Sequence, residues 1–124
     1  MRENDFHKKL KDKMDEFVHF VYDLTRSFPK EELFGITSQL RRAALSVILN
    51  YIEGFARDSK KSYLNFLKIS YGSLKETKYL LYFSFKEKYI TKNRYLKAIK
   101  MSEEINIYFY FRANEIIFII LKYN

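Results

Sequence analysis

The sequence predicts an all-α fold, an antiparallel up-down-up-down four-helix bundle that assembles as a homo-oligomer. Three observations lead there. One proline and three glycines in 124 residues leave few places to break a helix. No stretch alternates apolar and polar residues for long enough to read as a strand. Apolar residues instead recur at steps of three and four, and only short connections separate the stretches that carry them. At 15.1 kDa the chain makes one domain, residues 1–124, able to bury roughly two thirds of its unfolded surface.

A first helix is predicted over about 5–27, where Phe6, Leu10, Met14, Phe17, Val21, Leu24 and Phe28 form a heptad-like seam. Pro29 ends it, because the residue before a proline is pushed out of the α region. Lys30 to Gly35 reads as a capped turn or one short helical turn. Thr37 or Ser38 is then placed to cap a second helix, over about 37–57, by accepting an orphan amide hydrogen bond. Asp58-Ser59 is a tight connection, and Ser59 is the expected N-cap of a third helix over about 59–88. A connection so short makes its two helices antiparallel. The third helix turns Tyr63, Phe66, Leu67, Ser70, Leu74, Thr77 and Leu81 inward. Thr91 or Asn93 starts a fourth, over about 92–122.

The stretch from Gln39 to Arg57 organises the rest. Leu40, Ala43, Ala44, Val47, Tyr51 and Phe55 form one apolar face, and Leu45, Ile48, Ile52 and Ala56 continue it into a second. Only a narrow polar strip remains, made of Arg42, Ser46, Asn50, Glu53 and Arg57. The end of the fourth helix, from Ile105 to Leu121, is apolar almost all round. Both helices therefore need cover on two sides, which predicts contacts between copies of the chain. Aromatic residues at 19% of the chain, from 12 Phe and 11 Tyr, point the same way.

Several function classes recede on composition. With no cysteine there is no disulfide, thiolate metal site or cysteine nucleophile, which suits a reducing cytoplasm. The N-terminal residues carry no apolar run of signal-peptide length. Ile105 to Leu121 is shorter than the roughly 20 residues a membrane span needs and contains Arg112 and Glu115, so no membrane contact is expected. His7 and His19 are too far apart on one helix to share a metal. Asp15, Glu16 and Asp23 around His19 read as a charged outer face. Glu31-Glu32 and Glu103-Glu104 diverge by about 100° and are not preset for acid and base work. No phosphate-binding loop, dinucleotide fingerprint, nucleophile elbow or zinc motif is present. The expectation is a non-enzyme without metal or cofactor.

Charge placement gives the positive reading. The net charge is +8, and all of the excess lies after residue 58. Lys61, Lys68 and Lys75 form a heptad stripe on the outside of the third helix, joined by Lys78 at its margin and by Lys86. Lys92, Arg94, Lys97 and Lys100 follow near the start of the fourth. Ammonium groups in a row suit phosphate backbones and read no sequence by themselves, so these nine residues are the candidate RNA- or DNA-binding set. Gly72 sits within the stripe, where glycine costs roughly 1 kcal/mol against alanine. Its bare backbone suits a close neighbour. On the second helix, Arg42, Asn50, Glu53, Gly54 and Arg57 are the candidate assembly residues. If their strip is covered, they form a hydrogen-bonded network that fixes register.

Phe28-Pro29, Glu32, Phe34-Gly35, the run from Gln39 to Ala44, Ser46, Asn50, Glu53-Gly54, Arg57, Ser59, Phe66-Leu67 and Gly72-Ser73 together carry a family resemblance. In order and spacing they resemble the bacterial four-helix bundle proteins encoded within intervening sequences of 23S ribosomal RNA genes. The resemblance implies an antiparallel bundle assembled as a ring-like homopentamer with a basic surface, and no established enzymatic activity. A distant relative of that family, the accessory variability determinant of diversity-generating retroelements, forms a similar pentamer that binds a reverse transcriptase and nucleic acid. By that fold-level analogy the partners are further copies of the chain, RNA or DNA, and alternatively a protein such as a reverse transcriptase docked on the ring. Departures from the family pattern are Ser62 where a glutamate usually completes the cap with Ser59, the missing tryptophan of the first helix, and Ser70-Tyr71 before Gly72.

Overall fold

The first heptad seam closes as its spacing demands. In a computed structural model that describes residues 3–123, α1 runs Glu3–Thr25 and fully buries Leu10, Met14, Phe17, Val21 and Leu24. It stops earlier than predicted. The Thr25 hydroxyl bonds back to the carbonyl oxygens of Val21 and Tyr22, and Arg41 donates from Nε to that same hydroxyl at 2.8 Å. The last turn of α1 is thereby tied to the start of the next helix.

Lys30–Glu32 then forms one 3₁₀ turn and Leu33–Thr37 a wider turn kinked at Gly35, before α2 begins at Ser38 and runs to Phe55. The cap expected of Thr37 or Ser38 is not made. Thr37 is buried and already helical, and the Ser38 amide bonds to the Gly35 carbonyl. The preceding turn supplies the carbonyl a capping side chain would have replaced. The Ser38 hydroxyl instead accepts a 2.9 Å bond from Arg42.

Ser59 caps α3 (Lys60–Lys86) as expected, accepting from the Ser62 amide at 3.0 Å. The far end closes with bonds from Lys88 N to Phe85 O and from Tyr89 N to Ser84 O, and Lys88 takes the left-handed conformation usual for glycine there. Thr91 starts α4 (Lys92–Tyr123), its hydroxyl accepting from the Arg94 amide.

Among the described residues there are four α-helices and no strand. Neighbours in space are α1 with α2, α2 with α3, α3 with α4 and α4 with α1, so α2 and α4 lie diagonally opposite. Between them sits one core that includes Tyr51, Leu74, Leu81, Ile105 and Ile116. No described helix is long and apolar enough to cross a membrane. Arg112, which interrupts the apolar end of α4, is only 4% exposed; it bonds to Glu115 at 2.7 Å and lies 4.3 Å over the Phe6 ring.

Candidate nucleic-acid interface

The length of α3 sets out the lysine stripe. At about 1.5 Å per residue, Lys61 and Lys86 stand about 38 Å apart along it. Lys61, Lys68, Lys75 and Lys86 are all exposed, and none of them makes an ion pair among the described residues. Lys78, placed by its spacing at the margin, is half-buried and paired with Glu103 of α4. At the start of α4, Lys92, Lys97 and Lys100 are exposed. Arg94 pairs with Asp23 of α1, and both Arg94 and Lys97 lie over the Phe20 ring, at 5.7 and 4.9 Å. Seven of the nine predicted cations are therefore available to an outside anion. Lys78 and Arg94 are committed within the chain.

Lys97 and Arg94 face α1 through Phe20, whereas Lys68 rims a groove between α3 and α4. That groove encloses about 270 Å³, with Leu67 and Phe109 as its floor and Tyr71, Tyr110 and Asn106 in its walls. The Lys75 ammonium lies 5.6 Å from the centre of the Tyr71 ring.

The strip on α2 divides. Asn50 donates to both the carbonyl and the hydroxyl oxygen of Ser46, at 2.9 and 2.8 Å, and the Ser46 hydroxyl meets that of Ser73 on α3 at 2.8 Å. Gly54 is buried against α3. Arg57 pairs with Glu53 and covers the Phe66 ring at 4.7 Å. Asn50 and Gly54 thus act between α2 and α3, while Arg42, Glu53 and Arg57 are exposed, the last two paired with each other and Arg57 also lying on Phe66 of α3. Gly72 is also exposed, and nothing in the chain lies within 4 Å of the space a Cβ would take.

Two features escaped the reading by spacing. His7 is half-buried, its Nδ1 2.9 Å from the Tyr51 hydroxyl and its ring stacked on Phe55 at 3.6 Å. Only the pairing of α1 with α2 reveals that. The other feature is the company the lysines keep. Tyr71, Tyr79 and Tyr82 are exposed on α3 beside the stripe, a pattern the same helical periodicity could have disclosed. Among the described residues no group of three or more histidines, cysteines or carboxylates is placed to hold a metal.

With this geometry in place, comparison with known proteins gives a consistent result. No curated protein matches the chain. A solved structure from Bacteroides thetaiotaomicron VPI-5482, described as a protein of unknown function from the S23 ribosomal protein family, is similar at 27% identity with a TM-score of 0.78. The likeness covers 84% of this chain and 97% of that one. The sequence also matches the 23S rRNA-intervening sequence proteins over residues 7–108, most of its length and the greater part of all four helices. The chain therefore belongs to the 23S rRNA-intervening sequence protein family.

Proposed function

We propose that this chain is a cytoplasmic, non-enzymatic nucleic-acid-binding module that works as a homo-oligomer and holds RNA or DNA by its phosphates. The observation that carries the proposal is the exposed cation set Lys61, Lys68, Lys75, Lys86, Lys92, Lys97 and Lys100, on adjacent helices and unmatched by acids of the chain. Over residues 1–58, by contrast, ten basic and ten acidic side chains cancel, and some of them pair: Lys8 with Asp12, Arg26 with Asp23, Arg57 with Glu53. An unbalanced basic face beside a balanced one favours an anionic partner. Filter binding at rising salt tests it. The affinity should fall with a log-log slope of about −0.9 for each duplex phosphate contacted, or about −0.7 for each single-strand phosphate. A flat dependence on salt would rule out phosphate contacts as the source of affinity.

Assembly is supported by apolar surface that one chain leaves bare. Leu49 is 57% exposed on α2 beside Ile52, and Phe118 is 64% exposed on α4 in line with Ile107, Phe111 and Leu121. Helices α2 and α4 are diagonal, so their bare faces point to different sides of the bundle, a layout suited to head-to-tail closure into a ring. The homopentamer implied by the family resemblance is one such ring. The antiparallel up-down-up-down order is supported by contact pairs that run in opposite senses. Arg41 meets Thr25 while Tyr51 meets His7, Ser46 meets Ser73 while Tyr51 meets Tyr63, and Lys78 meets Glu103 while Phe85 meets Tyr95.

A further inference from the structure

Lys68, Tyr71, Lys75, Tyr79, Tyr82 and Lys86 follow one another on α3 at steps of three, four, four, three and four residues. That spacing keeps all six on a single face of the helix, and all six are exposed. A face that only solubilises the protein has no need of three tyrosines, and a face that packs on apolar protein has no room for three unpaired ammonium groups. Tyr79 is 62% exposed at the centre of the stripe, 6.4 Å from Tyr82 between ring centres, and Tyr82 is followed at 6.5 Å by Tyr95 of α4. The rings thus form a ladder across both helices with cations on either side.

The upper end of the stripe opens into the groove between α3 and α4. Tyr71 forms one wall, and Tyr110, 66% exposed, stands on the other. The Asn106 carboxamide lines the same space and makes no hydrogen bond among the described residues. About 270 Å³ of apolar room, two rings, one carboxamide and a rim ammonium from Lys68 match the needs of a flat heteroaromatic ring carrying polar edges and joined to a phosphate.

We propose that this α3 face is a track for single-stranded nucleic acid, with bases stacked on Tyr79 and Tyr82 and one base seated between Tyr71 and Tyr110. The proposal rests on the phosphate-binding reading above and narrows it. Ring faces select the strandedness: in a duplex the base faces are covered by their neighbours, whereas a single strand offers them to aromatic side chains. Lys68, Lys75 and Lys86 hold the backbone, and the Asn106 carboxamide bonds to a base edge in the groove.

The test compares short oligo(U) and oligo(dT) with an RNA and a DNA duplex of equal length, by anisotropy at low salt, using the full chain. Stacking on tyrosine contributes enough per base that Tyr79→Ala and Tyr110→Ala should each weaken single-strand binding about 5-fold or more and leave duplex binding unchanged. Both side chains are exposed, so the fold should survive, as circular dichroism will report. A second readout needs no loss of affinity. The chain has no tryptophan, so Tyr79→Trp introduces a lone reporter whose fluorescence should be quenched by the single strands and not by the duplexes. Equal salt-sensitive binding of single strands and duplexes, with no quenching, would overturn the track and leave the phosphate reading standing. Failure of every probe to bind would overturn both.

Discussion

A Cβ placed on Gly54 of α2 would stand 2.6 Å from the Cβ of Phe66 on α3 and 3.3 Å from the Tyr63 carbonyl oxygen. Neither neighbour is the free end of a flexible side chain, so the two helices approach as closely as they do only because position 54 carries no side chain. Just beyond this contact the chain turns from α2 into α3 through the Ser59 cap, and the Arg57 guanidinium seals it by lying over the Phe66 ring.

Gly54→Ala should therefore destabilise the fold by roughly 1–3 kcal/mol, the usual cost of forcing atoms into a packed contact, even though alanine is the better helix former. Denaturant unfolding of the two proteins measures it directly. A stabilised variant would mean that α2 and α3 have room to separate.

Gly72 makes the opposite case on the neighbouring helix. Its missing Cβ would meet nothing within 4 Å, so Gly72→Ala should stabilise the isolated chain by about 1 kcal/mol. If the thermal midpoint falls instead, another molecule must approach that backbone in the assembled protein, and its contact would be located.

These two glycines mark how far the sequence could be read. Helical period alone assigns Leu10, Met14, Phe17, Val21 and Leu24 to the core, and Ser59 and Thr91 announce their helices because capping is a local event. Period says which residues share a face but not which face of another helix they meet. Gly54 and Gly72 therefore look alike in sequence, and the bond from His7 to Tyr51, across 44 positions, is invisible. Thr37 misled for a related reason, since the kinked turn before α2 provides the carbonyl partner that a threonine cap would otherwise supply. The lysine face was legible because exposed charge follows period alone; the commitment of Lys78 and Arg94 to carboxylates on other helices was not.

That difference separates the cations by experiment. Replacing Lys61, Lys68 and Lys75 together by alanine should lower the salt slope of nucleic-acid binding by about 0.7–0.9 for each phosphate contact removed. Folding stability should stay within about 0.5 kcal/mol for each of these exposed sites. Lys78→Ala should change the slope less than Lys68→Ala, since its ammonium already bonds to Glu103. Equal effects from the two would show that the Glu103 pair opens on binding.

Tyr89 and Glu32 give the fold a dependence on alkaline pH. The Tyr89 hydroxyl donates to the Glu32 carboxylate at 2.9 Å, which, with lesser contributions from burial and the charges of Glu32, Glu87 and Glu31, raises the phenol above its ordinary value of 10.0. A group whose pKa is raised by folding stabilises the fold fully below its unfolded value and loses that contribution as pH climbs through its folded value. Wild type should therefore be more stable than Tyr89→Phe at neutral pH, and the gap should close above pH about 10. Thermal melts across that range decide it, and a gap that does not change with pH would show that ionisation of the hydroxyl bonded to Glu32 is not its source.

The bare faces of α2 and α4 make a sharper prediction than oligomerisation alone. Light scattering of the wild type should give a multiple of 15.1 kDa, near fivefold if the ring is the pentamer of the family resemblance. If the α2 face of one copy meets the α4 face of the next, Leu49→Glu and Phe118→Glu should each break every contact of the ring, because each variant spoils one half of each interface. Both positions are exposed in the single chain, so both variants should keep their helical dichroism and run as monomers. Mixing the two variants is the decisive step. Leu49→Glu retains an intact α4 face and Phe118→Glu an intact α2 face, so one good interface can form and the mixture should yield a dimer containing one of each. Pairing of like faces predicts the reverse outcome: each variant alone would still dimerise through its unspoiled face, and mixing would add nothing. A wild type that scatters as a monomer at micromolar concentration would remove the assembly proposal altogether.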